Sequence, residues 1–186
     1  DVTLKVGKYI EDFFENVNVV YTRTGDTFPT LIDRTNLANS INADLFISIH
    51  CDSFTKSSAN GTSCHVMGLR YTEENLRIAQ KENSVIYLED NYEENYDGFD
   101  PTSAESIIAL TLNQTTFLDQ SILIAQKIQE QFKTRVNRKD RGVKQTPLWV
   151  TSRNSMPSVL VELGFISNPE EEDFLQSRYI MTNSIA

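Results

Sequence analysis

Along residues 1–15 apolar side chains fall at Val2, Leu4, Val6, Tyr9, Ile10, Phe13 and Phe14. The later ones follow helical spacing and predict an amphipathic helix. Val17 to Thr22 is β-branched and aromatic, which predicts a strand. Thr24-Gly25-Asp26 then marks a turn. From Thr30 to Asn42 the apolar positions Leu31, Ile32, Leu37, Ala38 and Ile41 share one side and predict a second helix. Asp44 to His50 is an apolar run that ends in a histidine, the pattern of a central strand. A strand–helix–strand order of this kind predicts a right-handed crossover and a parallel sheet.

Further along, Ser57 to Gly61 reads as a loop and Thr62 to Met67 as a strand. Thr72 to about Leu88 predicts a helix with Thr72 as its cap. Glu89 to Ser103 is acidic, aromatic and rich in turn formers, and reads as a mobile surface loop. Helices follow over about Ala104–Asn113 and Thr116–Arg135, then a basic turn at Arg138–Gly142 and a short strand at Leu148-Trp149-Val150. Pro157 to Gly164 brackets Val159, Leu160, Val161 and Leu163, interrupted only by Glu162, which predicts a buried central strand. Acids from Glu170 onward open a last helix. The pattern predicts an α/β fold: one domain with a mostly parallel central sheet flanked by helices, carrying a helical insertion over about residues 69–115.

Composition narrows the functional classes. The chain has 186 residues, enough for a real core. Lys+Arg 17 against Asp+Glu 26 gives a net charge of -9, which argues against nucleic acid as a partner. No apolar run is long enough to predict a membrane span. The two cysteines, Cys51 and Cys64, form either one bridge or two small buried thiols. There is no CxxC, HExxH or GxGxxG pattern.

The chemistry concentrates at two strand ends. A carboxylate inside an apolar strand costs several kcal/mol unless it is paired, metal-linked or protonated. Glu162 is therefore either a structural acid paired with a base or a working acid/base. His50 closes the other central strand, as a hydrogen-bonded core histidine or as a ligand. In a parallel sheet the two strand ends open onto one edge, where ligands collect. His65, the second of two histidines, lies mid-strand and reads as structural.

Taken in order, Thr22-Arg23-Thr24-Gly25-Asp26, Arg34 with Ala38-Asn39, Ala43 to Ser53 with its Ser-Ile-His core, Asn60-Gly61, Arg141-Gly142-Val143-Lys144 and Pro157 to Asn168 form a series. The series resembles the zinc-dependent N-acetylmuramoyl-L-alanine amidases of bacterial cell-wall remodelling, over nearly the whole chain. The resemblance implies hydrolysis of the amide between the lactyl group of N-acetylmuramic acid and L-alanine of the peptidoglycan stem peptide. It implies His50 as a zinc ligand, Glu162 as the catalytic glutamate, and a periplasmic or cell-surface location. The family's other two ligands would precede Asp1, so the sequence reads as a piece of a family member truncated at both ends. Rival readings are a peptidoglycan-binding pseudo-amidase without activity and a zinc peptidase that cuts within the stem peptide.

In some of these amidases a helix of an insertion covers the zinc site, an acid of that helix takes the open metal position, and a partner protein pulls it away. By resemblance, Thr72 to Ile86 would be such a helix, with Glu74 and Glu82 as regulatory candidates and an activator protein acting on the insertion. The alternative is an ordinary surface helix with solvated acids. Arg141 and Lys144 either meet the anionic stem peptide or make surface pairs.

Overall fold

The computed structural model describes residues 2–68, 72–113 and 116–177. Four strands, β1 (Phe46–Asp52), β2 (Thr62–Val66), β3 (Asp140–Gln145) and β4 (Ser158–Phe165), form one sheet in the order β1-β4-β2-β3. β1 pairs with β4 and β2 with β3 in parallel, while β2 runs antiparallel to β4. The sheet is thus mixed but mostly parallel, the expected architecture, although not by way of the Val17–Thr22 strand from which the crossover was inferred. Every residue of β4 is buried, because it has a neighbour strand on both edges and helices on both faces.

Side chains alternate across a strand, so each face gets its own core. On one face Val159, Val161 and Leu163 of β4 pack with Cys64 and Val66 of β2. Over them lie Val6 of α1 (Val2–Phe13), Ala125 and Phe132 of α6 (Leu118–Arg135) and Leu175 of α8 (Pro169–Gln176). On the other face Phe46 and Leu160 meet α2 (Leu31–Ser40), α3 (Glu73–Asn83), α5 (Ala104–Leu110) and α7 (Trp149–Ser152). A short helix α4 (Tyr92–Asn95) completes this layer.

Local signals set the helix ends. Thr30 and Asp33 form a reciprocal capping box on α2: Asp33 N–H donates to Thr30 Oγ1 at 3.0 Å and Thr30 N–H to Asp33 Oδ2 at 3.1 Å. Thr72 caps α3 as predicted, accepting from Asn75 N–H at 3.0 Å. Asn168 caps α8, with Pro169 at its first turn.

Four expectations are corrected. Val17 to Thr22 forms no strand; it runs along a cavity of about 1600 Å³ beside the outer edge of β1, and among the described residues no strand pairs with it. Propensity without a partner does not make a strand. Leu148-Trp149-Val150 is the entry to α7 rather than a strand. The supposed basic turn is instead the start of β3, a polar edge strand. The acidic stretch after Glu89 is anchored rather than loose. Glu89 is buried and accepts from Leu31 N–H at 2.9 Å and from Tyr96 O–H at 2.5 Å. Tyr96 in turn stacks edge-on against Trp149, ring centres 4.7 Å apart.

Candidate active site

His50 and Glu162 are direct register partners on β1 and β4. Parallel pairing carries both side chains to the same face, so the two signals in the sequence become one site, although β1 runs on to Asp52 and β4 to Phe165 and the pair therefore lies within the strands rather than at their ends as the sequence suggests. The register of β1 breaks just after His50, a bulge of the kind that re-aims side chains at functional sites.

Two carboxylates converge on His50 Nδ1: Glu82 Oε2 of α3 at 3.3 Å and Glu162 Oε1 at 4.0 Å. On its other side the ring shares a hydrogen bond between Nε2 and Ser48 Oγ at 3.0 Å. His50, Glu82 and Glu162 each offer one ligand atom, all within 4.8 Å of one another. Ligand atoms around a tetrahedral zinc stand roughly 3–4 Å apart, and imidazole nitrogen with carboxylate oxygen is a donor set zinc accepts. Glu162 Oε2 is buried and has no hydrogen-bond partner among the described residues. Orphaned buried oxygens of this kind mark places where another group belongs. The three residues therefore fit a cation.

The electrostatics assign different states to the two acids. Burial, then the nearby Glu82 and Asp52 charges, hold the Glu162 carboxyl well above the usual range. Burial acts on Glu82 in the same sense, but its hydrogen bond to His50 and the charges of His50 and Lys81 bring it below the usual range. The two neighbouring acids are thus shifted in opposite directions, the separation that acid/base chemistry uses.

Helix α3 is fastened across this site. Lys81 pairs with Asp52 and donates to Ser53 O at 2.6 Å. Asn83 receives Trp149 N–H at 2.8 Å and donates to Pro147 O at 3.1 Å. Asn75 donates to Gln145 O at 3.0 Å. Of the regulatory candidates, Glu82 lies against the site and Glu74 lies away from it, on Lys144 of β3 at 2.8 Å. Of the substrate candidates, Arg141 lies over the Phe165 ring at 4.9 Å and donates to Asn60 O at 3.4 Å. Sequence reasoning missed Ser48 and Lys81. Ser48 sits two positions before His50, the same-face spacing of a strand, which was the available signal.

His65 is structural, as expected. It is buried, with Nδ1 on Thr146 Oγ1 at 2.9 Å and Nε2 on Ser63 Oγ at 3.2 Å. Burial, then Lys144, pull its pKa down to about 4. The unfolded chain takes up this proton near the ordinary histidine value, so stability falls as pH drops from about 6.5 towards 4. The total loss expected is about 3 kcal/mol. Denaturant midpoints measured against pH should slope in this window, and His65→Gln should flatten them. Cys51 and Cys64 are both free thiols, pushed up to about 11 and about 12 by burial.

The profile of the N-acetylmuramoyl-L-alanine amidase family matches residues 1–186. The chain belongs to this family. Amidase AmiA of Salmonella typhimurium is 32% identical over 181 residues, and AmiA of Escherichia coli K12 31%. Each alignment covers 94% of this chain, and the chain spans 60% of each AmiA protein. Among solved structures, the N-acetylmuramoyl-L-alanine amidase of Clostridium difficile 630 matches with a TM-score of 0.69 at 23% identity, covering 100% of this chain and 76% of that one. That likeness establishes the fold. No described helix is long and apolar enough to cross a membrane.

Proposed function

We propose that this chain is the catalytic part of a peptidoglycan hydrolase that cleaves the amide between the lactyl group of N-acetylmuramic acid and L-alanine of the stem peptide. The observation that carries this reading is the pairing of His50 with Glu162 across β1 and β4, within reach of Glu82, in a chain of this family. His50 would hold a zinc ion in the working enzyme, with Glu82 capping it only while α3 is closed, and zinc would supply polarisation of the scissile carbonyl and a more acidic water. Glu162 is the proton carrier: Oε2, which has no partner, accepts the proton of the attacking water and returns it to the departing alanine amine. For that step Glu162 must be ionised; burial opposes this, and a cation at His50 favours it. Substrate in the wall places the enzyme outside the membrane, in the periplasm or at the cell surface.

In this reading residues 69–115 are a regulatory insertion and α3 is its closed lid. Glu82 fills the place that a substrate or water oxygen must take, and an activator protein would pull α3 off the sheet. Deleting residues 72–100 is a poor test, because Ala79, Ile86 and Tyr96 belong to the core. The point variant Glu82→Gln in the longer protein leaves that core intact and should raise basal hydrolysis about tenfold, the effect of 1.4 kcal/mol less competition at the site. Dye release from labelled peptidoglycan without any partner protein measures it, and unchanged or lower release counts against the lid.

The reaction itself is tested by mass spectrometry of products from purified peptidoglycan digested by the longer protein with zinc. Whole stem peptides that begin with alanine, together with peptide-free glycan, are the expected products. Fragments cut within the stem peptide would identify a peptidase instead, and no release under any condition would identify a binding module.

A further inference from the structure

We propose that Lys144 is a subsite for a substrate carboxylate and that Glu74 occupies it as a stand-in for that carboxylate. This inference rests on the peptidoglycan reading above. Lys144 is the register partner of His65, and His65 that of Leu160, two residues before Glu162 on β4. Register partners share a face, so Lys144 lies on the face that carries Glu162. Two strand spacings sideways and two residues along place it roughly 10–12 Å from the catalytic acid.

The lysine side chain is 17% exposed, whereas the Glu74 side chain that pairs with it is 59% exposed. Among the described residues Lys144 Nζ has no other hydrogen-bond or ion-pair partner in the structure. The cation is thus built into the sheet, and its anion reaches in from solvent on a helix that must move for substrate to enter. Glu74 and Glu82 are eight residues apart on α3, about 12 Å along its axis. The helix therefore carries two carboxylates at about the separation between the His50–Glu162 centre and Lys144.

An extended peptide covers roughly 3.3–3.6 Å per residue. A carboxylate 10–12 Å from the scissile amide belongs to about the third residue of the stem peptide. Lys144 then selects peptides acidic at that position, and α3 blocks the cleft with Glu82 at the reacting centre and Glu74 in the place of that carboxylate.

The test compares two synthetic muramyl-tripeptides, with the third-residue carboxylate free or amidated. Steady-state kinetics are measured on the longer protein as wild type, Glu74→Gln, Lys144→Met and Lys144→Arg. The wild type should favour the free acid about fivefold in KM, the size of one partly screened charge pair. Lys144→Met should abolish that preference, its KM for the free acid rising to that for the amidated compound. Lys144→Arg should keep the preference, and Glu74→Gln should lower KM for the free acid several-fold. Equal preference in wild type and Lys144→Met overturns the subsite, and an unchanged KM in Glu74→Gln overturns the mimicry. If no variant hydrolyses either compound, the enzymatic reading has failed instead. Calorimetric binding of the free-acid compound then decides the subsite: weaker binding by Lys144→Met supports it and equal binding overturns it.

Discussion

Glu162→Gln is expected to abolish hydrolysis by the longer protein while leaving the fold as stable as before or more so. The amide keeps the shape of the side chain and cannot carry the proton from the water to the amine. General acid–base groups contribute about 10²–10⁴-fold, and the loss in kcat should fall in that range. Stability should move the other way. The native carboxyl is held in a form that burial and the Glu82 and Asp52 charges make costly to ionise, whereas the unfolded chain ionises it freely at neutral pH. An uncharged amide removes that difference. Product release and thermal melting, measured on the same preparation, check both halves. A variant that retains a tenth or more of wild-type kcat would remove Glu162 from the mechanism.

The second large effect lies away from the chemistry. Arg138 and Glu171 form a buried two-armed ion pair, Nη1 to Oε1 at 2.6 Å and Nη2 to Oε2 at 2.5 Å, with side chains 10% and 6% exposed. Glu171 Oε2 also accepts from Gly61 N–H at 3.2 Å and Phe165 N–H at 3.4 Å. The guanidinium lies over the Phe174 ring at 4.5 Å. A Cβ on Gly164 would lie 2.7 Å from Glu171 Oε2, so glycine is what lets this pair approach β4. Arg138→Met leaves a buried carboxylate without its cation, and such losses cost about 3–5 kcal/mol. In a domain of this size that corresponds to a fall in melting temperature of roughly 10 °C. Arg138→Met with Glu171→Leu should recover most of it, because no charge is then stranded. A fall below 1 kcal/mol in the single variant, read from denaturant midpoints, would show that water reaches Glu171.

The two strand-end residues were legible in the sequence because each breaks an apolar run with one chemically distinct group. His50 after Phe46-Ile47-Ser48-Ile49 and Glu162 after Val159-Leu160-Val161 stand out against local context alone. The capping of α3 by Thr72 was legible for the same reason. β3 was not: Asp140 to Gln145 is a polar edge strand, half-buried through most of its length, and carries no apolar run. Trp149 misled because three apolar residues in a row fit a strand and a buried helical turn equally. Glu89 looked solvated because its partners, Leu31 N–H and Tyr96 O–H, include one that is 58 residues away. The Arg138–Glu171 pair was hidden likewise, since a charge in a basic run and a charge in an acidic run show no sign of each other until the sheet brings them together.

The position of β4 between β1 and β2 bears on how the protein comes into being. Phe46 pairs with Ser158, and among the described residues β1 has no other strand neighbour. During synthesis β1 therefore waits for more than a hundred further residues before its partner leaves the ribosome. Contacts this distant in sequence close slowly, because the intervening loop must surrender its entropy first. The β1 edge that faces β4 stays open until β4 has been made, and the pairing of His50 with Glu162 forms in the same event that fills the sheet centre. A chain interrupted before residue 157 holds both partners of the β2–β3 pair but lacks the sheet centre and any pairing of His50 with Glu162.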